Sequence, residues 1–223
     1  MTTRRLLLAL AALALVGLGA AWLVARDAPR VAPGDPTAPQ PASILARPHS
    51  PVLGAERAPV TVTEFFDPSC EACRAFHPFV KQLLVDFAGQ VRVVVRYAPF
   101  HQGSDEAVAI LEAAREQGRF EAVLEALLLA QPEWAAHGAP NLALAWQVAG
   151  QAGLDVAPAK RQAAVERAKQ VLAMDVADLN AVGVEKTPTF FVNGKPLARF
   201  HPDELRSMVR QEIARAAPPS ASR

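Results

Sequence analysis

The 223-residue chain carries 23 Lys and Arg against 22 Asp and Glu, a formal net charge of +1. The basic residues are dispersed rather than clustered, which argues against a nucleic-acid surface. With two cysteines in all, a structural four-ligand zinc site lacks its second Cys pair.

At the N-terminus, Arg4 and Arg5 precede an uninterrupted apolar run from Leu6 to Ala25. About twenty such residues suffice to span a bilayer as a helix. Residues 1–26 are therefore read as a membrane anchor with its N-terminus inside. Gly19-Ala20-Ala21 offers a small-residue cleavage site, so a removed signal peptide is the alternative. No cysteine follows the run, which excludes a bacterial lipid anchor. On either reading the rest of the chain is exported, to a compartment where cysteine pairs can oxidise. Residues 27–51 hold Pro29, Pro33, Pro36, Pro39, Pro41, Pro48 and Pro51 among Ala, Thr, Ser and Gly. This composition predicts an extended, semi-rigid linker without a core. Residues 52–216 have the length of one domain, and 217–223 read as a disordered tail.

Within the domain, the β-branched and aromatic stretch Pro59–Phe66 predicts a strand. Ala72, Ala75, Phe76, Phe79, Val80, Leu83, Leu84 and Phe87 then recur at three- and four-residue spacing, as the buried face of a helix closed by Gly89. Pro78 should kink that helix. Val91–Tyr97 is a second strand, and the β-α-β order implies parallel strands with a right-handed crossover. Residues of about 104–181 are helical almost throughout, in four or five helices broken at Gly118, Pro132, Gly138-Ala139-Pro140, Gly153 and Pro158. Thr189–Val192 is a strand, Asn193-Gly194 a two-residue hairpin turn, and Lys195–Phe200 the antiparallel return. A last helix opens at His201-Pro202-Asp203 and carries Leu205, Met208, Val209 and Ile213 on one face. The class is α/β.

Cys70-Glu71-Ala72-Cys73 lies where the first strand gives way to the first helix. That junction puts the Cys70 sulfur at a helix N-terminus, where unpaired N–H groups and the macrodipole favour a thiolate. A thiolate attacks disulfides, so the spacing points to thiol–disulfide exchange. Three plainer readings compete: a structural disulfide, though so short a loop removes little unfolded-state entropy; half of a zinc site; or two unrelated buried thiols. Glu64, an acid in an apolar strand, would have a desolvation-raised pKa and relay a proton for Cys73; a solvent-facing glutamate is the alternative. His77 lies on the helix after the cysteines, as a soft-metal partner or a plain surface histidine. His49, His101, His137 and His201 sit near Pro or Gly and read as loop residues. Trp134 and Trp146 read as core or groove wall.

The order β-α-β, helical block, β-β-α, carrying these motifs, resembles the thioredoxin superfamily, in its exported DsbA-like branch with an inserted helical domain. Three signatures carry the resemblance: Glu64 to Cys73, Pro78 beyond it, and Gly183-Val184-Glu185-Lys186-Thr187-Pro188-Thr189-Phe190-Phe191-Val192-Asn193-Gly194. It implies that Cys70 is the exposed nucleophile, Cys73 its buried resolving partner, and Pro188 a cis proline facing the pair, preceded by Thr187. It also implies a buried acid at Glu64. Two positions depart from the pattern. Ala72 stands where many strongly oxidising relatives have a histidine, and Glu71 adds a negative charge beside Cys70, so the pair should be less oxidising. Lys186 would partly offset this if it approached the sulfurs. The resemblance implies no cofactor beyond the Cys70–Cys73 disulfide and no metal. It implies a monomer that exchanges disulfides with exported cysteine-containing proteins and with a DsbB-like oxidant or DsbD-like reductant in the membrane. A disulfide-forming oxidase is the first expectation; a reductase of the same fold, or a copper- or zinc-binding protein using the CxxC, are the alternatives.

Overall fold

A computed structural model describes residues 44–216; the proposed anchor, most of the linker and the tail lie outside the described residues. A five-stranded sheet runs in the order β1-β3-β2-β4-β5, from β1 (Val52–Gly54), β2 (Val60–Phe66), β3 (Val91–Tyr97), β4 (Thr189–Val192) and β5 (Lys195–Pro196). β2 and β3 pair in parallel, with Val60 opposite Val91 and Phe66 opposite Tyr97. The crossover between them is α1 (Glu71–Asp86), which continues through Pro78. β4 pairs antiparallel with β2, and β5 with β4 across the Asn193-Gly194 turn. Asn193 and Gly194 both have positive φ (45° and 82°), the backbone that a tight hairpin turn requires. The return strand is two residues long rather than the six expected, and β1 was not anticipated.

Between β3 and β4 lie six helices: α2 (Ser104–Glu116), α3 (Phe120–Leu129), α4 (Gln131–Trp134), α5 (Leu142–Gln151), α6 (Val156–Ala159) and α7 (Gln162–Ala181). Two of them are single turns, which is why spacing alone suggested four or five. The last helix is α8 (Pro202–Ala216). Trp134 and Trp146 are both buried in the core. Among the described residues, no helix is long and apolar enough to cross a membrane.

Strand alternation divides the core between the two faces of the sheet. Val60, Val62 and Phe66 of β2, with Val91, Val93, Val95 and Tyr97 of β3, pack toward α1, α8 and the helical block. Phe65 and Phe191 pack on the opposite face with Leu45, Leu179 and Val184. That second face carries a buried charge cluster. Arg96, fully buried, donates to Asp175 (2.7 and 3.0 Å) and Asp178 (2.6 Å), and Asp175 also accepts from the Tyr97 amide (2.7 Å).

The same cluster corrects the end of the linker. Arg47 makes a bidentate pair with Asp178 (2.8 Å each), His49 meets Asp175 (2.7 Å), and Ile44 and Leu45 are buried. Residues 44–51 therefore belong to the domain. Their prolines and small residues conceal anchors whose partners lie on α7.

Candidate active site

Cys70 is the N-cap of α1, with extended backbone (φ −80°, ψ 121°), and both cysteines are free thiols. Cys73, one turn in, is completely buried, and Cys70 is 6% exposed. The Thr187–Pro188 bond is cis, and the Cys70 thiol donates to the Thr187 carbonyl oxygen at 3.4 Å. The structure thus brings Cys70, Cys73, Thr187 and Pro188, separated by more than a hundred residues, to one place.

The two thiols are held very differently. Hydrogen bonding from the Cys73 thiol lowers the pKa of Cys70 most; burial opposes this; the Thr187 side chain and the amides of Cys73 and Ala72 add to the lowering, which ends at about 5. Burial first, then hydrogen bonding to Cys70 and the charges of Glu64 and Cys70, push the Cys73 thiol far above the ordinary cysteine range. Near neutral pH the pair therefore holds one thiolate on Cys70 and one proton on Cys73.

Glu64 lies on the α1 side of β2, since it shares its face with Val62 and Phe66, and is 3% exposed. The solvent-facing alternative is thereby excluded. Burial, then the charge of Cys70, raise its pKa from 4.5 to about 8. Glu71 and Ala72 are both exposed, and Glu71 pairs with His137 (2.6 Å). Lys186 is exposed and forms no ion pair among the described residues; its carbonyl accepts from the Thr189 hydroxyl. The expectation that its charge reaches the sulfurs is not met; the backbone carbonyl of Thr187, before Pro188, is what faces Cys70.

His77 has a buried Nε2 without a hydrogen-bond partner in the described structure, and burial lowers its pKa. Among the described residues, no three His, Cys, Asp or Glu side chains converge as metal ligands. The apolar stripe of α1 is also incomplete at its start, where Ala72 and Ala75 are exposed and Phe79 is 48% exposed. Phe79 and the 51%-exposed Phe200 both pack against Phe76 with tilted rings (centroids 5.6 and 4.7 Å), and Phe76 packs on Phe190 (5.0 Å). Phe76 follows Cys73 by one turn and Phe190 follows Pro188 by two residues, so this aromatic patch flanks the thiols.

Three residues of the site escaped the sequence reading as site residues. Asp67 is fully buried, and its amide points at Cys73 Sγ (3.5 Å). His101 binds Asp67 through Nδ1 (2.6 Å). Gln131, 2% exposed at the start of α4, donates to the carbonyls of Pro68 (2.8 Å) and Cys70 (3.0 Å) and accepts from Arg74 Nε (3.0 Å). Its only sequence signal is a polar residue closing an apolar helix. Gln131 ties the helical insertion to the loop that carries the cysteines. Gln131→Ala is expected to destabilise the reduced protein by about 1–3 kcal/mol, as two carbonyls and a guanidinium lose a buried partner. Denaturant unfolding checks this, and an unchanged midpoint would show that water replaces the clamp.

The sequence model of the thioredoxin family matches residues 46–211. The chain is 35% identical over 186 residues to the Na(+)/H(+) antiporter NhaA 3 of Salinispora tropica, an alignment covering 78% of this chain but 28% of that protein. It is 28% identical over 180 residues to disulfide bond formation protein D of Bacillus subtilis, covering 73% of this chain and 77% of that one. Among solved structures, a thioredoxin-like oxidoreductase from Silicibacter pomeroyi superposes with a TM-score of 0.66 at 31% identity, over 81% of this chain and all of that one. The chain belongs to the thioredoxin family, and its likeness extends to that family's DsbA-like thiol:disulfide oxidoreductases.

Proposed function

We propose that this chain is an exported thiol:disulfide oxidoreductase, held at the outer face of the membrane by residues 1–26, that donates its Cys70–Cys73 disulfide to cysteine-containing proteins. The observation that carries this reading is the split between the two thiols, with Cys70 lowered to about 5 and Cys73 driven upward by burial. A stabilised thiolate favours the reduced form, so the corresponding disulfide is a good oxidant.

In the oxidised protein, a substrate thiolate attacks Cys70 Sγ. The Cys70–Cys73 bond breaks, Cys73 leaves with the electron pair and takes a proton, and substrate and Cys70 are joined by a mixed disulfide. Glu64, protonated at neutral pH and buried on the same face, supplies that proton. A second substrate thiolate then attacks the first substrate sulfur. Cys70 departs as the low-pKa leaving group, and two electrons have passed from substrate to protein. The Thr187 carbonyl, 3.4 Å from Cys70 Sγ, lies where an incoming chain would run, and exposed Phe79 and Phe200 offer it apolar contact. A membrane oxidant must then restore the disulfide.

The deciding experiment is equilibration of the full chain with glutathione buffers. A potential at or above about −180 mV is the expected result for a disulfide donor. One below about −230 mV would overturn the oxidase direction and make the protein an electron-delivering reductase.

A further inference from the structure

Glu71 and Ala72, the two residues between the cysteines, bring one negative charge and no positive charge to Cys70. Two histidines from outside the motif reach the same place. His137, in the connection between α4 and α5, pairs with Glu71 (Nε2–Oε1 2.6 Å). His101, in the connection between β3 and α2, sits with its ring centre 5.9 Å from that of His137.

His101 is firmly seated. Its Nδ1 meets Asp67 Oδ2 at 2.6 Å, and the same oxygen accepts from the amides of Phe100 (2.8 Å) and His101 (3.0 Å). The other oxygen of Asp67 accepts from the Ser69 amide (2.9 Å) and the Ser104 hydroxyl. Gly103, at φ 81°, turns the chain between His101 and Ser104 so that both reach Asp67, and a side chain there would meet Pro140 Cγ at 3.0 Å. A carboxylate on Nδ1 fixes the tautomer and leaves Nε2 to take up the second proton. The Asp67 amide touches Cys73 Sγ and its carbonyl accepts from the Cys70 amide, so one residue carries the ring on its side chain and meets both cysteines through its backbone.

We propose that His101, seated on Asp67, is a positioning residue that supplies positive charge to the Cys70 thiolate from outside the CxxC motif, while His137 offsets Glu71. The proposal rests on the exchange reading given above. Asp67 bonds to His101 and the His137 ring lies beside it, and Cys70 and Glu71 are near enough for their charges to act on it. Burial works against protonation of the ring, but the Asp67 hydrogen bond and charge, then the charges of Cys70 and Glu71, outweigh it and raise the pKa of His101 above the ordinary histidine value. Such coupling is mutual: whatever the thiolate adds to the proton affinity of His101, the imidazolium returns to the thiolate. Because the pKa of His101 is raised, its charge is present at about pH 6 and is lost as the pH climbs through that raised value.

The test uses the full chain and His101→Asn, whose amide keeps a donor toward Asp67 but carries no charge. In glutathione equilibration, the constant for reducing the protein is expected to fall about tenfold at about pH 6, the effect of one nearby opposite charge. At about pH 9 it should lie within about twofold of wild type. Titration of the thiolate by its ultraviolet absorbance should show the Cys70 pKa raised by about one unit. His101→Lys, whose charge persists at both pH values, should match the wild-type constant at about pH 6 and exceed it severalfold at about pH 9, a difference that serves if the asparagine variant does not fold. In the asparagine variant an equal fall at both pH values would mean a purely structural role and overturn the proposal, as would no change there, or a lysine variant that does not exceed wild type at about pH 9. If the wild-type protein does not equilibrate with glutathione, the exchange reading fails instead, and the Cys70 titration alone decides the role of His101.

Discussion

Cys70→Ser is expected to reduce disulfide exchange to the uncatalysed background, whereas Cys73→Ser should leave a protein that captures substrates as stable mixed disulfides. Both outcomes follow from the unequal thiols. Cys70, with a pKa of about 5, is almost wholly thiolate at neutral pH, and a serine hydroxyl at that N-cap has no comparable ionised form. When the reduced Cys70 attacks a substrate disulfide, one substrate sulfur bonds to Cys70 and the other leaves as a thiolate. Release then requires Cys73. In the mixed disulfide Cys70 no longer carries charge, so one of the causes that raise the Cys73 pKa is gone and its ionisation becomes easier. With serine at position 73 that route is closed. Mass analysis of the captured species under non-reducing conditions checks both variants. Trapping by Cys70→Ser rather than by Cys73→Ser would reverse the assignment. Alkylation of wild-type Cys70 adds a pH test: its rate should stay level from about pH 8 down to about pH 6 and halve near pH 5, where the thiolate takes up its proton.

What was legible in the sequence was whatever is encoded locally. The strand-to-helix junction at Cys70, the Thr187-Pro188 pair before an aromatic strand and the Asn193-Gly194 turn each declare themselves within a few residues. The residues that set the environment of the thiols do not. Asp67 and His101 are 34 positions apart, and Gln131 is 63 from the Pro68 carbonyl it holds. Each looked like an ordinary loop or helix residue because nothing adjacent to it in sequence reveals its partner. The end of the linker was misjudged for the same reason: Arg47 and His49 find Asp178 and Asp175 across more than 120 positions. The stripe on α1 misled in the opposite sense. Its spacing is that of a buried face, yet Phe79 remains half exposed. Within the four-residue motif, Glu71 and Ala72 favour a weaker oxidant. With His137 on Glu71 and His101 on Asp67, the local charge balance differs from what the four-residue motif implies.

Glu64→Leu should stabilise the reduced protein while slowing its chemistry, a combination that a purely structural glutamate would not give. Burial raises the pKa of Glu64 from 4.5 to about 8, so the folded protein binds a proton that the unfolded chain releases above about pH 4.5. For an acid with a raised folded pKa, the sign is a penalty. It is absent below about pH 4.5, grows as the pH rises, and levels off above about pH 8. At pH 7 it amounts to about 3 kcal/mol. A leucine of similar volume removes it, so the unfolding free energy should rise by about that amount at neutral pH and change little near pH 4. Turnover should move the other way. Without an acid on the α1 face of β2, the departing Cys73 sulfur has no internal proton source, and the loss is on the order of 10²-fold, the lower end for a positioned acid or base. Denaturant unfolding at the two pH values, with stopped-flow exchange on the same preparation, measures both effects. A variant that gains stability but keeps its rate would remove Glu64 from the proton path and leave water to serve Cys73.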